Sequence, residues 1–297
     1  MNASMTSLDE YVKEEVNKYR DIYRPVKAGI LRRLFIRFLA CKKIHPNPDD
    51  EFCNPAIGPN YEIISRYADE IKRIRRNDSH AKFFEEPVMV ERISPDGYML
   101  LNGHHRWAAA MRMNLPKIRS KVVDLTQESD IRDMIRNAKH NKRVTLDLDE
   151  VVFCVQEGGA MEKAAPFPFS MHYKERMRNG SPALFNYLKT KGYDIWVYSE
   201  KYYSMKYIRH YFAFHHTWVD GIVTGTARRH SFLEDVRKKL ANALAEKYRQ
   251  TLHIDNNSLI CINNKTKAYE DYPLTGNPET WSHEIIKIVG ALEEHEG

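Results

Sequence analysis

Hydrophobic and polar positions follow two patterns in the second half of the chain. Short apolar runs predict buried strands, and stretches with apolar residues three or four positions apart predict helices. The predicted strands cover 144–148, 193–199, 251–255 and 258–262, with a short apolar segment at 219–223, and the predicted helices cover 181–191, 202–212, 231–249 and 280–293. This alternation is typical of an α/β fold with a parallel sheet.

The first half of the chain has a less regular pattern. Predicted helices cover 8–23, 28–42, 61–76 and 106–113, and predicted strands cover 87–92, 97–101 and 118–123. A polar, charged stretch at 126–142 separates the two halves, and we place the domain boundary there. The sequence therefore predicts a helical extension over 1–40, a first domain over 41–141 and a second domain over 142–297.

Composition is that of an ordinary globular protein, with 42% hydrophobic and 29% charged residues in a chain of 297. The net charge of +6 favours polyanionic partners such as nucleotides or nucleic acid, although many cytosolic enzymes are equally basic. Four cysteines stand singly without C-x-x-C spacing, which argues against a zinc ribbon and fits a reducing compartment. No apolar run reaches the ~20 residues of a membrane span, so we expect a soluble cytoplasmic protein without a membrane partner.

Two carboxylates follow the apolar run Val144–Leu146 with a single residue between them: Asp147 and Asp149. Alternate residues of a strand share one face, so both side chains are expected to point the same way. Side-by-side carboxylates repel each other unless a cation or a proton lies between them. The pair therefore predicts magnesium-dependent phosphoryl chemistry at the end of a strand.

Two later predicted strands also end in suitable chemistry, one at Ser199 and one at Asp255, which is followed by Asn256. Ligands of parallel α/β sheets bind beyond the carboxyl ends of the strands. In this order, Asp147-x-Asp149, Ser199 and Asp255 resemble the first, second and fourth motifs of the haloacid-dehalogenase (HAD) phosphohydrolase superfamily. The resemblance covers about 143–290 and implies a Rossmannoid domain with a parallel sheet and a small cap.

The HAD resemblance also implies a role for each of these residues. Asp147 would attack phosphorus and form an aspartyl-phosphate, and Asp149 would protonate the leaving oxygen and later deprotonate water. Ser199 would donate a hydrogen bond to the phosphoryl group. Mg²⁺ would be held by Asp147, by the main-chain carbonyl of Asp149, and by Asp255 with Asn256.

The third HAD motif is a lysine close to the start of a helix, and here its position is ambiguous. Arg228 and Arg229 stand at the predicted helix start, whereas Lys238 and Lys239 stand within it; of these we select Lys238 as catalytic. Residues 154–180 are too few for a large cap, and a small cap suits a bulky substrate. Basic residues of this segment are candidates for substrate contact, although a solvated loop is equally compatible with them: His172, Lys174, Arg176 and Arg178.

A second group of candidate residues lies in the first domain, where Asn102 is followed by Gly103, His104, His105 and Arg106 at a predicted strand–turn–helix junction. Glycine lets the backbone approach an anion, the helix start offers unpaired N–H groups, and arginine adds a bidentate cation. The junction resembles the Gly-x-x-Arg phosphate-binding signature of the ParB/sulfiredoxin superfamily. That resemblance covers about 40–140 and implies an α+β nucleotide-binding domain.

Within that superfamily the His-His-Arg version is similar to free-serine kinases, whose signature reads Asp-Gly-His-His-Arg. Asn102 replaces the aspartate here, and no cysteine stands in the motif, which argues against the sulfinic-acid reduction of sulfiredoxins. The resemblance implies ATP or another nucleoside triphosphate as cofactor. It also implies an acid–base role for His104 and a catalytic glutamate, for which Glu51 is the nearest candidate, although a plain turn residue explains Glu51 equally well.

Together the two resemblances predict a bifunctional enzyme, with a kinase-like domain fused to a phosphomonoesterase. This combination resembles the enzymes that heal nucleic-acid ends, so phosphorylated ends are candidate substrates. The alternative is a phosphatase recruited by a non-catalytic domain that binds nucleotide or nucleic acid. Four tyrosines at helical spacing suit either base stacking or a core, with the core favoured: Tyr202, Tyr203, Tyr207 and Tyr211. The sequence leaves the natural substrate and the oligomeric state open.

Overall fold

The computed structural model describes residues 8–19, 22–77, 83–153, 159–226 and 234–296. The chain divides into two compact units, Met1–Asp124 and Leu125–Gly297. The helices are α1 (Leu8–Tyr19), α2 (Ile30–Leu34), α3 (Tyr61–Asn77), α4 (His104–Arg112), α5 (Glu128–Asn137), α6 (Ser181–Thr190), α7 (Met205–Phe214), α8 (Glu234–Lys247) and α9 (Trp281–Glu296). The strands are β1 (Arg24–Pro25), β2 (Arg37–Ala40), β3 (Ile44–His45), β4 (Val88–Ser94), β5 (Tyr98–Asn102), β6 (Lys117–Val123), β7 (Lys142–Asp147), β8 (Tyr193–Ser199), β9 (Gly221–Thr224), β10 (Gln250–Ile254), β11 (Ser258–Asn263) and β12 (Tyr269–Pro273).

The first unit is built on a mixed sheet in the order β2-β6-β4-β5-β3, with β1 pairing the end of β4. Helices α3 and α4 pack on this sheet, and α4 contributes the fully buried Trp107 and three buried alanines. Trp107 donates a hydrogen bond from its indole nitrogen to the carbonyl of Cys41 at 3.2 Å. The first residues of α4 are thereby fixed at the carboxyl end of β5.

The predicted helix over 28–42 is wrong. Residues Ile30–Leu34 form a short helix, Phe35 is extended, and β2 then pairs antiparallel with β6. Arg33 is buried, and its Nε lies 3.1 Å from Oδ2 of Asp124. An ion pair with a residue 91 positions away is invisible to local periodicity. The segment 1–40 is therefore not helical throughout, since β1 and β2 join the sheet.

The second unit contains a sheet in the order β12-β11-β10-β7-β8-β9. Strands β10, β7, β8 and β9 run parallel, whereas β11 and β12 continue the sheet antiparallel beyond β10. The prediction of a mixed α/β chain is confirmed, and the strand predicted at 193–199 has the predicted bounds. The antiparallel pair at the edge makes this sheet mixed rather than purely parallel. The first sheet is also mixed, since β4 pairs antiparallel with β5 and parallel with β6.

The polar stretch at 126–142 contains a helix that the sequence pattern did not indicate. Helix α5 has no buried residue, and it begins with a capping box in which Gln127 and Asp130 exchange hydrogen bonds with the backbone. Thr126, just before it, donates to the carbonyl of Ile222 at 2.9 Å. This segment belongs to the second compact unit, although the sequence analysis placed the boundary after residue 141. None of the helices in the described ranges has the length and apolarity that a bilayer crossing requires.

Candidate functional sites

The three motif residues of the second unit lie at the same edge of its sheet. Asp147 is the last residue of the central strand β7 and pairs with Tyr198 of β8, so that Ser199 follows immediately on the neighbouring strand. On the other side, Leu146 pairs with Ile254 of β10, and Asp255 follows it. Parallel pairing in this register therefore brings the three polar residues to adjacent strand ends.

Asp147 also closes the loop that carries the second carboxylate. Its Oδ1 accepts hydrogen bonds from the backbone N–H groups of Asp149 at 2.7 Å and Glu150 at 2.6 Å. Leu148–Val152 then form one π-helical turn, a rare conformation that occurs often at functional sites. Because Oδ1 is used twice, Oδ2 is the oxygen of Asp147 that no described residue hydrogen-bonds.

Asp149 is held by the neighbouring strand. Its Oδ2 accepts from Ser199 Oγ at 2.7 Å and from the backbone N–H of Glu200 at 3.1 Å. Its Oδ1 is buried and accepts no hydrogen bond from any described residue, while the Nζ of Lys201 lies 3.4 Å away. A carboxylate with one oxygen fixed and the other without a hydrogen bond is suited to giving and taking a proton at Oδ1. The hydroxyl hydrogen of Ser199 is directed at Asp149 in this arrangement, whereas the sequence analysis assigned it to a phosphoryl oxygen.

The loop after β10 is held by an arginine of the segment between β7 and α6. Oδ1 of Asn256 accepts from Nη1 of Arg178 at 2.9 Å, and its amide donates to the carbonyl of Glu150 at 3.1 Å. Arg178 is 3% exposed and lies 4.3 Å above the ring of Trp281. Trp281 in turn donates to the carbonyl of Asp255 at 3.1 Å. Arg178, a candidate for substrate contact, is thus buried and positions the Asp255 loop.

The donor set at this edge suits a hard cation such as Mg²⁺. Asp147 and Asp255 offer carboxylate oxygens on neighbouring strands, and Mg²⁺ commonly binds through one or two carboxylates together with water and substrate phosphate. The described residues contain no group of three or more His, Cys, Asp or Glu side chains placed to hold a metal ion. Asn256, a predicted ligand, has its side-chain oxygen bonded to Arg178, so the two carboxylates and the main-chain carbonyl of Asp149 are the better candidates.

Among the described residues, Lys238, which was selected for the third motif, makes no ion pair or hydrogen bond with Asp147, Asp149 or Asp255. Lys238 is exposed in the second turn of α8, where it interacts with groups other than these three carboxylates. Arg228 and Arg229 lie outside the described residues. Lys201, by contrast, contacts Asp149. Sequence reasoning missed Lys201 because the second motif was taken to end at Ser199. The position of Lys201, two residues beyond a strand-end serine, was the available signal.

Aromatic side chains form a cluster beside the two carboxylates. Tyr203 and Tyr207 stack with their ring centroids 5.8 Å apart, and Phe153 packs against Tyr203 at 6.2 Å. Tyr211 is fully buried, so the core interpretation holds for it. Burial raises the pKa of Tyr203, and the charges of Glu175 and Asp149 raise it further. The segment 159–180 beside them is irregular apart from one turn of 3-10 helix at Phe169–Met171.

In the first unit, the strand–turn–helix junction has the geometry of an anion site. Gly103 ends the turn after β5 with φ +93° and is the N-cap of α4, without any side-chain cap. No acidic residue stands in the first turn of α4. The first N–H groups of the helix and the positive end of its dipole are therefore directed at the space beside Gly103.

Arg106 lies over the same turn. Its side chain is 12% exposed, and its Nη1 lies 2.8 Å from Oε2 of Glu86, whose own side chain is 79% exposed. Its Nε is buried and has no hydrogen-bond partner among the residues that the structure describes. A buried donor without a partner is costly, and a ligand oxygen at this place would satisfy it.

The two histidines organise the loops around the helix start. His104 is buried, its Nδ1 lies 3.5 Å from Oδ1 of Asp50, and its Nε2 accepts from the backbone N–H of Asn47 at 3.4 Å. His105 accepts from the backbone N–H of Asn60 at 3.2 Å. Burial lowers the pKa of His105, partly offset by the charge of Asp50, so the neutral ring that this hydrogen bond needs is favoured. The imidazole rings of His104 and His105 both contact the ring of Phe52.

The carboxylate beside His104 belongs to Asp50, not to Glu51. Asp50 accepts from the backbone N–H of Phe52 at 3.0 Å and begins a 3-10 turn, in which Glu51 is exposed. The sequence analysis selected Glu51 on residue type alone; the capping preference of aspartate was the signal for Asp50. Burial raises the pKa of the nearby Cys53 thiol to about 12, with contributions from Asp50 and Asp49, so Cys53 is not a thiolate nucleophile.

Replacing Gly103 with alanine is expected to destabilise the first unit and weaken anion binding. The new Cβ would lie 2.8 Å from Cγ1 of the buried Val88 and 3.1 Å from Nε of Arg106, at φ +93°. We expect a loss of about 1–3 kcal/mol, measured by thermal unfolding. Gly58→Ala is the matched control, because it has φ +70° but nothing within 4 Å of the added carbon. Equal stability of the two variants would contradict the close approach of Arg106.

Comparison with known proteins supports the prediction that the first unit resembles the ParB/sulfiredoxin superfamily. Residues 61–138 match the ParB N-terminal domain family. Among solved structures, sulfiredoxin from Arabidopsis thaliana is similar at 20% identity over 33% of this chain and 94% of that chain, with a TM-score of 0.24. A C-terminally truncated chromosome-partitioning protein ParB from Caulobacter crescentus, complexed with CTP-gamma-S, is similar at 25% identity over 36% of this chain and 56% of that chain, also with a TM-score of 0.24.

This chain thus spans about half the length of the ParB structure that it resembles. At these TM-scores the two structures add nothing to the family match. No curated protein is significantly similar to the chain. The family match runs past the first compact unit through helix α5. On that match, the N-terminal part of this chain carries a ParB-like domain.

Proposed function

We propose that the second unit is a HAD-like, magnesium-dependent phosphomonoesterase. The observation that carries this proposal is the convergence of Asp147, Ser199 and Asp255 at neighbouring strand ends, with Asp149 hydrogen-bonded to Ser199 at 2.7 Å. A nucleophile, a proton carrier and metal-binding carboxylates are the groups that such hydrolysis requires.

We assign different oxygens to different steps. Oδ2 of Asp147 attacks phosphorus, since Oδ1 is used to hold the backbone of Asp149 and Glu150. Oδ1 of Asp149 gives a proton to the leaving oxygen and later takes one from water, which then cleaves the acyl phosphate and releases phosphate. Asp147, Asp255 and the main-chain carbonyl of Asp149 would hold Mg²⁺. When bound, the ion supplies positive charge that offsets the charge of the phosphoryl group.

We further propose that the first unit binds a nucleoside triphosphate at the start of α4. Gly103 allows Arg106 to approach the turn closely, the first N–H groups of the helix face the space beside it, and the buried Nε of Arg106 lacks a partner among the described residues. Both ring nitrogens of His104 have partners within the protein. That arrangement favours a binding domain that recruits or regulates the phosphatase.

Kinase activity is the second candidate for the first unit, and Asp50 is the observation in its favour. Its carboxylate lies beside His104 at the anion site, where it could accept the proton of an attacking hydroxyl. Asn102 stands where the similar kinases have an aspartate, and Glu51 is exposed, so Asp50 would be the base. Nucleic-acid ends remain candidate substrates of both units, in keeping with the net charge of +6.

Two assays test these proposals on the full chain. Hydrolysis of p-nitrophenyl phosphate and of a 3′-phosphorylated oligonucleotide is measured with Mg²⁺ and with EDTA; we expect turnover only with the metal. Labelled ATP and CTP are then offered with free serine and with a 5′-hydroxyl oligonucleotide. Nucleotide binding without transfer supports the recruiting domain, and transfer supports the kinase. Absence of any hydrolysis with Mg²⁺ would refute the phosphatase.

A further inference from the structure

The C-terminal site carries more negative than positive charge. Asp147, Asp149, Glu150 and Asp255 all stand at or just beyond the ends of two adjacent strands. A phosphomonoester brings about −1.5 to −2 further charges at neutral pH. A bound divalent ion compensates only part of this, so the site needs a fixed cation that contacts the phosphoryl group.

Lys201 has its backbone fixed at this site. Its N–H donates to Oγ of Ser199 at 3.0 Å, and its carbonyl accepts from the N–H of Gly225 at 3.1 Å. These two bonds attach it both to the end of β8 and to the segment after β9. The backbone from which the Lys201 side chain starts is therefore fixed, although the side chain is 63% exposed.

The ammonium group of Lys201 is available to a ligand. Nζ lies 3.4 Å from Oδ1 of Asp149, the buried oxygen that accepts no hydrogen bond from the described part of the chain. Lysine has three donors, and none of them makes a hydrogen bond to the residues that the structure describes. A phosphoryl oxygen arriving at Asp147 can therefore take up a donor of Lys201. The charge that now faces Asp149 would then face the substrate.

Other cations of the described residues are placed less well. Arg178 is buried and donates to Asn256, and Lys238 is exposed on α8 with other interactions. Of the described residues, Lys201 is the one cation that forms an ion pair with Asp147, Asp149 or Asp255. A lysine acts as a compact point charge and needs no fork geometry to hold phosphate.

Resting on the proposed phosphatase function, we infer that Lys201 binds the phosphoryl group in this site, in place of Lys238. The ion pair with Asp149 holds it ready before substrate arrives. Release of that pair on substrate binding leaves Oδ1 of Asp149 to handle the proton. Lys201 thus contributes both to substrate binding and to the transfer step.

The test compares four variants of the full chain: Lys201→Ala, Lys201→Arg, Lys238→Ala and the control Lys206→Ala, a nearby exposed lysine on α7. Binding of inorganic phosphate with Mg²⁺ is measured by calorimetry, and kcat/KM is measured with p-nitrophenyl phosphate. We expect Lys201→Ala to weaken phosphate binding at least about tenfold and to lower kcat/KM about 100-fold. Lys201→Arg keeps the charge and should stay within about tenfold of wild type, and the other two should match wild type.

The outcomes separate this inference from the function on which it rests. Wild-type hydrolysis together with an unimpaired Lys201→Ala variant would overturn the role of Lys201 alone. Loss of phosphate binding in Lys238→Ala instead would restore the assignment made from sequence. A wild-type chain that neither binds phosphate nor hydrolyses the ester would overturn both proposals.

Discussion

Asp147→Asn is expected to lower phosphatase turnover by at least about a thousandfold, in the range seen when a catalytic nucleophile is removed. The asparagine oxygen can still accept from the N–H groups of Asp149 and Glu150, so the π-helical turn is retained. The amide nitrogen then occupies the position of Oδ2 and cannot attack phosphorus. Release of p-nitrophenol with Mg²⁺ measures the effect, and thermal unfolding checks that the fold is unchanged.

The control for this substitution is Asp271→Asn, which makes the same chemical change at an exposed position of β12. It is expected to hydrolyse the ester at the wild-type rate. If Asp147→Asn kept a rate close to wild type, the nucleophile would have to be another group. The strand-end arrangement would then serve a purpose other than covalent catalysis.

Arg106→Ala is expected to weaken nucleotide binding by the first unit on the order of 100-fold. A hydrogen bond to a charged group contributes about 1.5–3 kcal/mol, and each 1.4 kcal/mol is tenfold in affinity. The pair that Arg106 forms with Glu86 is lost as well, and because the Arg106 side chain is only 12% exposed, thermal unfolding must check that the fold is unchanged. Calorimetric titration with ATP and CTP measures the change, and hydrolysis by the second unit should be unaffected.

Arg112→Ala is the matched control, since Arg112 stands at the other end of the same helix and donates to Ser65 at 3.1 Å. It should bind nucleotide as wild type does. Arg106→Lys keeps the charge but not the fork, and an intermediate affinity is expected. Affinity unchanged in Arg106→Ala would show that the anion site lies elsewhere in the first unit.

The sequence allowed the strand ends of the second unit to be located, because burial imposes a simple pattern on them. Strands β7, β8 and β10 lie inside a sheet, so each contains buried apolar residues that lead up to a polar residue at or just after its end. The polar residues at those stops, Asp147, Ser199 and Asp255, are the ones that the register brings together. The Gly103–Arg106 junction could also be predicted from sequence, because its glycine and the start of its helix are adjacent residues.

Features that depend on distant partners or on exposure were missed. Strand β12 is mostly exposed at the sheet edge, so no apolar alternation marks it. The buried Arg33 and the exposed Lys201 both depend on a carboxylate far away in sequence, Asp124 in one case and Asp149 in the other. The position of Asp50 beside His104 could not be predicted, because two adjacent acids look alike until the backbone turn decides which one faces the histidine.

Strand β7 is completed on its two sides by segments that come much later in the chain. Strand β8 supplies Ser199 on one side, and β10 supplies Asp255 on the other, 108 positions after Asp147. A nascent chain that has not yet reached β10 therefore contains Asp147 but lacks the strand that brings Asp255 beside it. Contacts this remote in sequence form slowly during folding. The three strand-end residues consequently come together only after β10 has been synthesised.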